Sequence, residues 1–361
     1  MLRLVPRQTG STWMLWSAPV LAVILTVMAG GLMFLSLDVD PVAALGHILL
    51  DPFSTTYARA ELLVKSAPLA LIGLGLSLGF RAGVWNIGAE GQFTLGALGG
   101  GVVALAFWNV EGAWLFPLIC LGGIASGMAC AAIPAYLKVR HNTNEILVSL
   151  MLTYIAVLLI SALVSGPLRD PEGYNFPESR MFHASAVAPI LIEGTRAHIG
   201  IALAPLIAVI LWGVLMRHEI GYGVRLFGDA PKAARFAGFT EKGTVWFCLL
   251  LSGGLAGLAG ALEATGPLGQ LVPDLPAGYG FTAIIVAFLG RLTPLGVLVG
   301  AFALGVTYIG GESAQVAMSL PAAVVGVFQG MLLFFLLSID VLVTNRVQWV
   351  VPAAAKIKAG P

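Results

Sequence analysis

The stretch FRAGVWNIGAEGQF, Phe80 to Phe93, sets Arg81, Asn86, Glu90 and Gln92 among three glycines, Gly83, Gly88 and Gly91, inside an otherwise apolar sequence. A carboxylate and an amide at membrane depth are costly unless they face protein or a water-filled path. If the segment is helical, Asn86 and Glu90 are four residues apart and share one face, while Gln92 points elsewhere. Two readings stand. The polar side chains bond between helices, as membrane bundles commonly arrange, or they line a translocation path where glycine lets backbone unwind or approach a solute. The density of polar residues in one span favours the path.

Outward from this stretch the chain is apolar. Of 361 residues, 58% are hydrophobic and 10% charged, with a mean hydropathy of +0.93. So few charges cannot cover a soluble surface, and the composition predicts a polytopic membrane protein. The net charge of +1 carries no information about partners. Cys120, Cys130 and Cys248 lie in apolar runs without paired or metal-ligand spacing, which predicts buried free thiols. The histidines are scattered singly, which argues against a metal site.

Apolar runs fall at 16–37, 62–80, 84–107, 113–137, 145–165, 197–216, 244–265, 279–290, 294–311 and 320–341. Most approach the ~20 residues that a bilayer core requires. Arg3 and Arg7 precede the first run, which is long for a signal core and reads as an uncleaved span. Residues 38–61 are mixed and suit a short interfacial helix. The run 279–290 is short, either a half-helix or a helix that begins earlier, within 266–278.

With the N-terminus inside, the inner segments hold Arg3, Arg7, Arg81, Lys138, Arg140, Arg217, Arg225, Lys232, Arg235, Lys242, Arg291, Arg346, Lys356 and Lys358. The outer side holds Arg59, Lys65, Arg169, Arg180 and Arg196. This bias sets the orientation and makes both termini cytoplasmic. The expected fold is all-α and polytopic, one transmembrane domain over 1–361 with about ten transmembrane helices. Its parts are a first span at 16–37, core helix groups at 62–165 and 244–341, a periplasmic loop at 165–196 and a cytoplasmic loop at 217–244. Five spans per half would give an internal duplication two inverted halves. A weak likeness between Ala82-Gly83-Val84-Trp85 and Ala277-Gly278-Tyr279-Gly280-Phe281 points the same way.

In the inner loop, Asp229 and Pro231 open a short helix, Lys232 to Ala237 favour it and Gly238 stops it. With Ala233, Ala234 and Phe236 exposed, that helix reads as a docking element rather than an ordinary basic loop. At 141–145, Asn142 or Thr143 is the expected N-cap of the next span, with Glu145 in its first turn. In SGGLAGLAGALEATG, 252–266, Gly253 and Gly257, with Ala256 and Gly260, make a tight helix-packing face. Glu263 is either interfacial or pathway-lining, and Arg291 reads as an inner anchor. No GxxxxGK[ST], HExxH, CxxC or GxSxG is present. The Ser-Gly pairs at Ser165 and Ser252 lack a histidine, because His141 and His183 fall on opposite sides. A membrane-embedded enzyme is disfavoured.

Five blocks in order, FRAGVWNIGAEGQF (80–93), TNEILVSLMLTYIA (143–156), GDAPKAARFAG (228–238), SGGLAGLAGALEATG (252–266) and GYGFTAIIVAFLGRLTPLGVLVGA (278–301), resemble permease subunits of bacterial ABC importers. The branch is that of simple sugars and nucleosides, related to branched-chain amino-acid permeases. The form of the 83–92 block looks more like the nucleoside-type members.

The resemblance implies a permease in the bacterial inner membrane that moves a nucleoside, a simple sugar or a related polar solute. It implies a second permease chain (a paralogue or another copy), two ABC ATPase domains carrying ATP-Mg, and an extracytoplasmic solute-binding protein. It implies no cofactor on this chain, no catalytic or metal site and no nucleic acid. Asp229, Pro231, Lys232, Arg235, Phe236 and Gly238 match the coupling-helix region that seats in the ATPase. Asn86, Glu90 and Gln92 become expected pathway or gate positions, with Asn144, Glu145, Tyr279, Phe281 and Thr282. The alternative is a secondary transporter or channel, which would work without nucleotide.

Overall fold

In the computed structural model the described residues are 2–6, 12–321 and 323–349; Arg7, Lys356 and Lys358 lie outside them. Strand β1 (Leu2–Pro6) and helix α1 (Thr12–Ser36) are followed by α2 (Pro41–Ser54), α3 (Thr56–Arg81), α4 (Ala89–Ala106), α5 (Leu115–His141) and α6 (Glu145–Ser165). Then come α7 (Gly200–Arg217), α8 (Glu219–Asp229), α9 (Pro231–Phe236), α10 (Glu241–Glu263), α11 (Tyr279–Leu289), α12 (Pro294–Met318), α13 (Ala323–Thr344) and strand β2 (Asn345–Trp349). The architecture is that of an all-helical polytopic membrane protein, apart from the short terminal strands.

The chain divides into two compact units. One is Met1–Leu45 with Met318–Pro361, in which α1 packs on α13 and β1 pairs antiparallel with β2, Leu2 opposite Trp349. The other, Gly46–Ala317, carries every site residue discussed below.

Among the described residues, seven helices are long and apolar enough to cross a membrane: α3, α5, α6, α7, α10 with the turn that follows it, α12 and α13. The remaining apolar runs of the sequence fall on α1, α4 and α11. The mixed segment before α3 forms α2, with Pro41 at its first position. Burial grades the larger unit. The apolar window of α3 is 89% buried and that of α6 only 22%. So α3 lies in the interior, whereas Leu147, Met151 and Leu158 of α6 project outward. Such a face suits hydrocarbon, where helices keep their backbone groups satisfied internally.

With lipid outside there is little hydrophobic drive between helices, so close packing of small residues takes its place. Helix α10 lies against α5 and α4 through backbone: Gly257 meets Gly123 and Gly127, Gly253 meets Gly127, and Gly260 meets the Phe93 carbonyl. A Cβ at any of these would overlap a neighbouring main chain. The small-residue face read from 252–266 is therefore the central seam of the unit.

The unit has two distinct ends. At one, the Gly228 turn of α8 abuts the Arg81 carbonyl, and Phe288 at the end of α11 stacks 5.4 Å from Phe80. At the other, the loop 166–199 covers the α10–α11 connection, the Ser179 amide donating to the Leu271 carbonyl at 2.9 Å. Trp108, just past α4, donates to the Met181 carbonyl of the same loop at 3.0 Å.

Candidate functional site

Two helical breaks build the site. Helix α3 stops at Arg81, Gly83 takes a left-handed φ of +74°, and residues 84–87 form no helix before α4 opens at Ala89. Helix α10 runs into a π-helical turn at Ala264–Leu268, and Gly269 and Gly278 are both left-handed, at φ +71° and +81°. Helix α11 then begins and spans only 11 residues. At ~1.5 Å per residue that is about 16 Å, half a bilayer core. Glycine is the residue that adopts these conformations without strain. Irregular backbone at such depth persists only where protein or a cavity surrounds it.

The first break corrects the helical reading of 80–93. Because 84–87 are not helical, Asn86 and Glu90 do not share a helix face. Asn86 pairs instead with Gln92, its Nδ2 donating to Gln92 Oε1 at 2.7 Å and its Oδ1 accepting from Gln92 Nε2 at 3.1 Å. Asn86 Nδ2 also donates to Ser252 Oγ of α10 at 2.9 Å, and its Oδ1 accepts from the Gly88 amide at 3.1 Å. Both amides are buried, at 2% and 1% exposure, and every bond replaces water that the site excludes. Helix α6 closes the other flank, and Gly88 gives it room: a Cβ there would meet the Ser149 carbonyl at 2.6 Å and its side chain at 2.7 Å.

Glu90 serves the second break. Its carboxylate accepts from the Gly278 amide at 2.8 Å and from the Gly280 amide at 2.5 Å, at the opening of α11. Those amides have no intrahelical partner, and an anion there meets the positive end of the helix. Gly280 lies so close to α4 that a Cβ would overlap the backbone of Glu90.

Tyr279 and Thr282 lie in the first turn of α11, both buried, while Phe281 is 41% exposed. Lys65 of α3 donates to the Tyr279 hydroxyl at 2.7 Å with its ammonium 5.4 Å from the ring centroid, and Thr282 bonds Tyr308 of α12 at 3.0 Å. One turn before Lys65, Glu61 accepts two bonds from Arg196, at 2.9 and 2.5 Å, fastening the loop 166–199 to α3. Glu263 is buried, with Lys65, Arg196 and Glu61 as its charged neighbours. That makes it interior rather than interfacial. His198 lies beside this group, buried, with its Nδ1 accepting from the Gly200 amide at 3.2 Å.

Lys65, Tyr308, Ser252 and Arg196 were not singled out in the sequence as site residues. Lys65, a lone cation in an apolar run, carried the one available signal. Among the described residues no three His, Cys, Asp or Glu side chains are placed to hold a metal.

Asn144 and Glu145 lie apart from this cluster, at the elbow between α5 and α6. Neither Asn142 nor Thr143, the two expected caps, caps α6: Asn142 ends α5 in a left-handed conformation (φ 51°), and Asn144 caps α6 by accepting from the Ile146 amide at 2.9 Å. Only an extended residue can cap, and Asn144 holds ψ 109°. Glu145 accepts from Lys138 at 2.7 Å.

The same end carries α8 and α9. Helix α9 opens on Pro231 and ends before the left-handed Gly238, but Asp229, expected to help open it, instead ends α8. Ala234, expected to be exposed, is buried against the unit; Asp229, Lys232, Arg235 and Phe236 are exposed. Arg235 bonds Glu241 at 2.6 Å, and Phe236 is 94% exposed. Beside them a cleft of about 580 Å³ opens between Lys138, Asn142, Arg235 and Lys242.

Residues 58–337 match the family described as branched-chain amino acid transport system, permease component. A glucose ABC transporter permease protein of Haloferax volcanii is 36% identical, over 96% of this chain and 93% of its own length. A guanosine ABC transporter permease protein of Bacillus subtilis is 31% identical, over 89% and 92%. A nucleoside ABC transporter permease protein of Lactococcus lactis is 23% identical, over 94% of each.

Proposed function

This chain belongs to the family of branched-chain amino acid transport system permease components, and we propose that it forms half of the membrane core of an ATP-driven importer for a nucleoside or related small polar solute. It is a multi-pass transport subunit and not an ATPase. ATP hydrolysis and solute delivery belong to partners of the general kinds that such permeases use. The finer assembly is our proposal: two ATPase domains with ATP-Mg, a second permease chain, and an extracytoplasmic solute-binding protein at a bacterial inner membrane. The relatives named for guanosine, nucleosides and glucose support an uncharged, hydroxyl-rich cargo.

In this reading α1, α3 to α7, α10, α12 and α13 cross the membrane, and the extended lead-in 269–278 with α11 makes the tenth crossing in two pieces. Both termini then lie in the cytoplasm. The end that carries Arg81, Lys138, Arg140, α8, α9 and Arg291 faces inward, as its basic residues favour. The paired breaks, each marked by a left-handed glycine (Gly83 and Gly278), support two inverted halves. Asn86, Gln92, Glu90, Tyr279, Phe281 and Thr282 sit where these halves meet and act as pathway or gate positions. Asn144 and Glu145 brace the inner end.

Helix α9 carries the reading, a short helix opened by Pro231 with a fully presented phenylalanine. Movement of α8 and α9 under a closing ATPase would press on the α3 end at Arg81 and so on the break that holds Asn86 and Glu90. This is gating between two states rather than covalent catalysis. Phe236→Asp, with Lys232→Glu and Arg235→Glu, is expected to cut co-purification of the ATPase subunit by at least ~tenfold, as loss of an aromatic anchor does. Chain yield and melting should change little, since Phe236 is 94% exposed and the Arg235–Glu241 pair that the variant breaks is a solvent-facing one. Undiminished co-purification would place the docking site elsewhere.

A further inference from the structure

Where α5 ends and α10 begins, the larger unit opens its cleft of about 580 Å³. Three cations line it: Lys138 in the last turn of α5, Arg235 of α9 and Lys242 in the first turn of α10. Two are matched within the chain, Lys138 by Glu145 at 2.7 Å and Arg235 by Glu241 at 2.6 Å. Among the described residues no carboxylate pairs with Lys242, so the cleft holds one surplus positive charge. Val139, Phe239 and Val245 share the lining, which is therefore apolar as well as basic. Such a lining suits an amphiphile better than a small free anion, which has no apolar surface to bury.

The cleft also has the right depth. Helices α5 and α10 are both long and apolar enough to cross the membrane, so their ends lie at its surface. On α5, Tyr136 lies one turn deeper than Val139 and is 53% exposed, its ring 6.1 Å from that of His141. Tyrosine is at home at this level, with its ring toward hydrocarbon and its hydroxyl toward water. A lipid chain can thus pass from Val139 along Tyr136 into the bilayer. Basic pockets between spans at the membrane surface are the setting in which anionic headgroups are held.

We propose that this cleft binds the phosphodiester of one monoanionic phospholipid, with Lys242 supplying the unmatched charge and Val139 and Phe239 receiving the glycerol end of its chains. A carboxylate from a partner protein would match the charge but leave the apolar lining and its opening toward Tyr136 unused. Because Arg235 belongs to both the cleft and α9, the bound headgroup sits against the helix assigned above to ATPase docking. The lipid site itself needs only the membrane spans, neither ATPase nor cargo.

The test places the full chain in phosphatidylcholine nanodiscs with or without phosphatidylglycerol and follows lysine acylation by mass spectrometry. Phosphatidylglycerol is expected to slow acylation of Lys242 about fivefold relative to Lys232 of α9, the worth of one cation at a lipid surface. Native mass spectrometry then counts the phosphatidylglycerol that the chain retains. Lys242→Gln should retain about fivefold less, and Glu241→Gln, which removes a negative charge from the same cleft, more by a similar factor. Lys242 is exposed, so glutamine there leaves the fold intact, and a merely structural role would not give opposite signs in the two variants. Equal acylation of Lys242 in the two membranes would overturn the proposal, as would unchanged retention in Lys242→Gln. Glycerol phosphate that protects Lys242 in detergent as well as the lipid does would overturn it in favour of a free phosphate ester. Protection by the ATPase subunit in phosphatidylcholine alone would overturn it in favour of a protein partner. A failure of the importer reading would appear elsewhere, as nucleotide-independent uptake.

Discussion

Asn86→Leu is expected to abolish uptake and to lower the thermal stability of the assembled transporter. Leucine fits the volume but removes both polar ends of the amide. Gln92 then loses its partner at Oε1 and Nε2, Ser252 loses its donor and the Gly88 amide its acceptor, all of them buried. Each buried group left unpaired costs about 1–3 kcal/mol, so the loss approaches the whole of a marginal stability. Asn86→Asp separates the effects. It keeps the acceptor for Gly88 and removes the donors to Gln92 and Ser252, so an intermediate loss is expected. The check is melting of the purified complex alongside vesicle uptake; wild-type values for Asn86→Leu would show the amide pair to be dispensable.

Gly257→Leu should prevent the larger unit from forming at all. A side chain there meets the Gly123 carbonyl on one helix and the Gly127 backbone beside it, and neither can retreat as a rotamer would. Overpacking against flexible side chains already costs about 1–3 kcal/mol, and here α10 must leave α5 altogether. The control is Gly213→Leu on α7, where no atom lies within 4 Å of an added Cβ. That variant is expected to express and melt as the wild type does. Equal yields of folded protein from the two variants, measured by size-exclusion profile in detergent, would contradict the central-seam account.

The contrast between those two glycines shows what the chain discloses on its own. Spacing at Gly253 and Gly257 marked a packing face, and periodic apolar runs marked most spans, because both signals are local. The short run at 279–290 left open a half-helix or an earlier start within 266–278, and only the fold places the start of α11 at Tyr279. The break at 84–87 was less legible: its apolar residues fit a helix, and only Gly83 and Gly88 hint that the backbone leaves it. Asn86 was visible as anomalous, but its partners Gln92 and Ser252 depend on a turn and on a helix some 166 residues away. The Glu90 bonds to Gly278 and Gly280 are of the same kind, made by backbone amides that no residue type identifies. The cap of α6 fell to Asn144 rather than to Asn142 or Thr143 because backbone angles, which composition leaves open, decide which of these neighbours caps.

The importer account is tested most directly by uptake into proteoliposomes that hold this chain with its partner permease and ATPase subunits and receive a labelled nucleoside on its binding protein. The account predicts accumulation that requires ATP-Mg on the ATPase side and disappears in the Phe236→Asp, Lys232→Glu, Arg235→Glu variant. Accumulation at the same rate without nucleotide would contradict it and make the chain a secondary transporter or a channel.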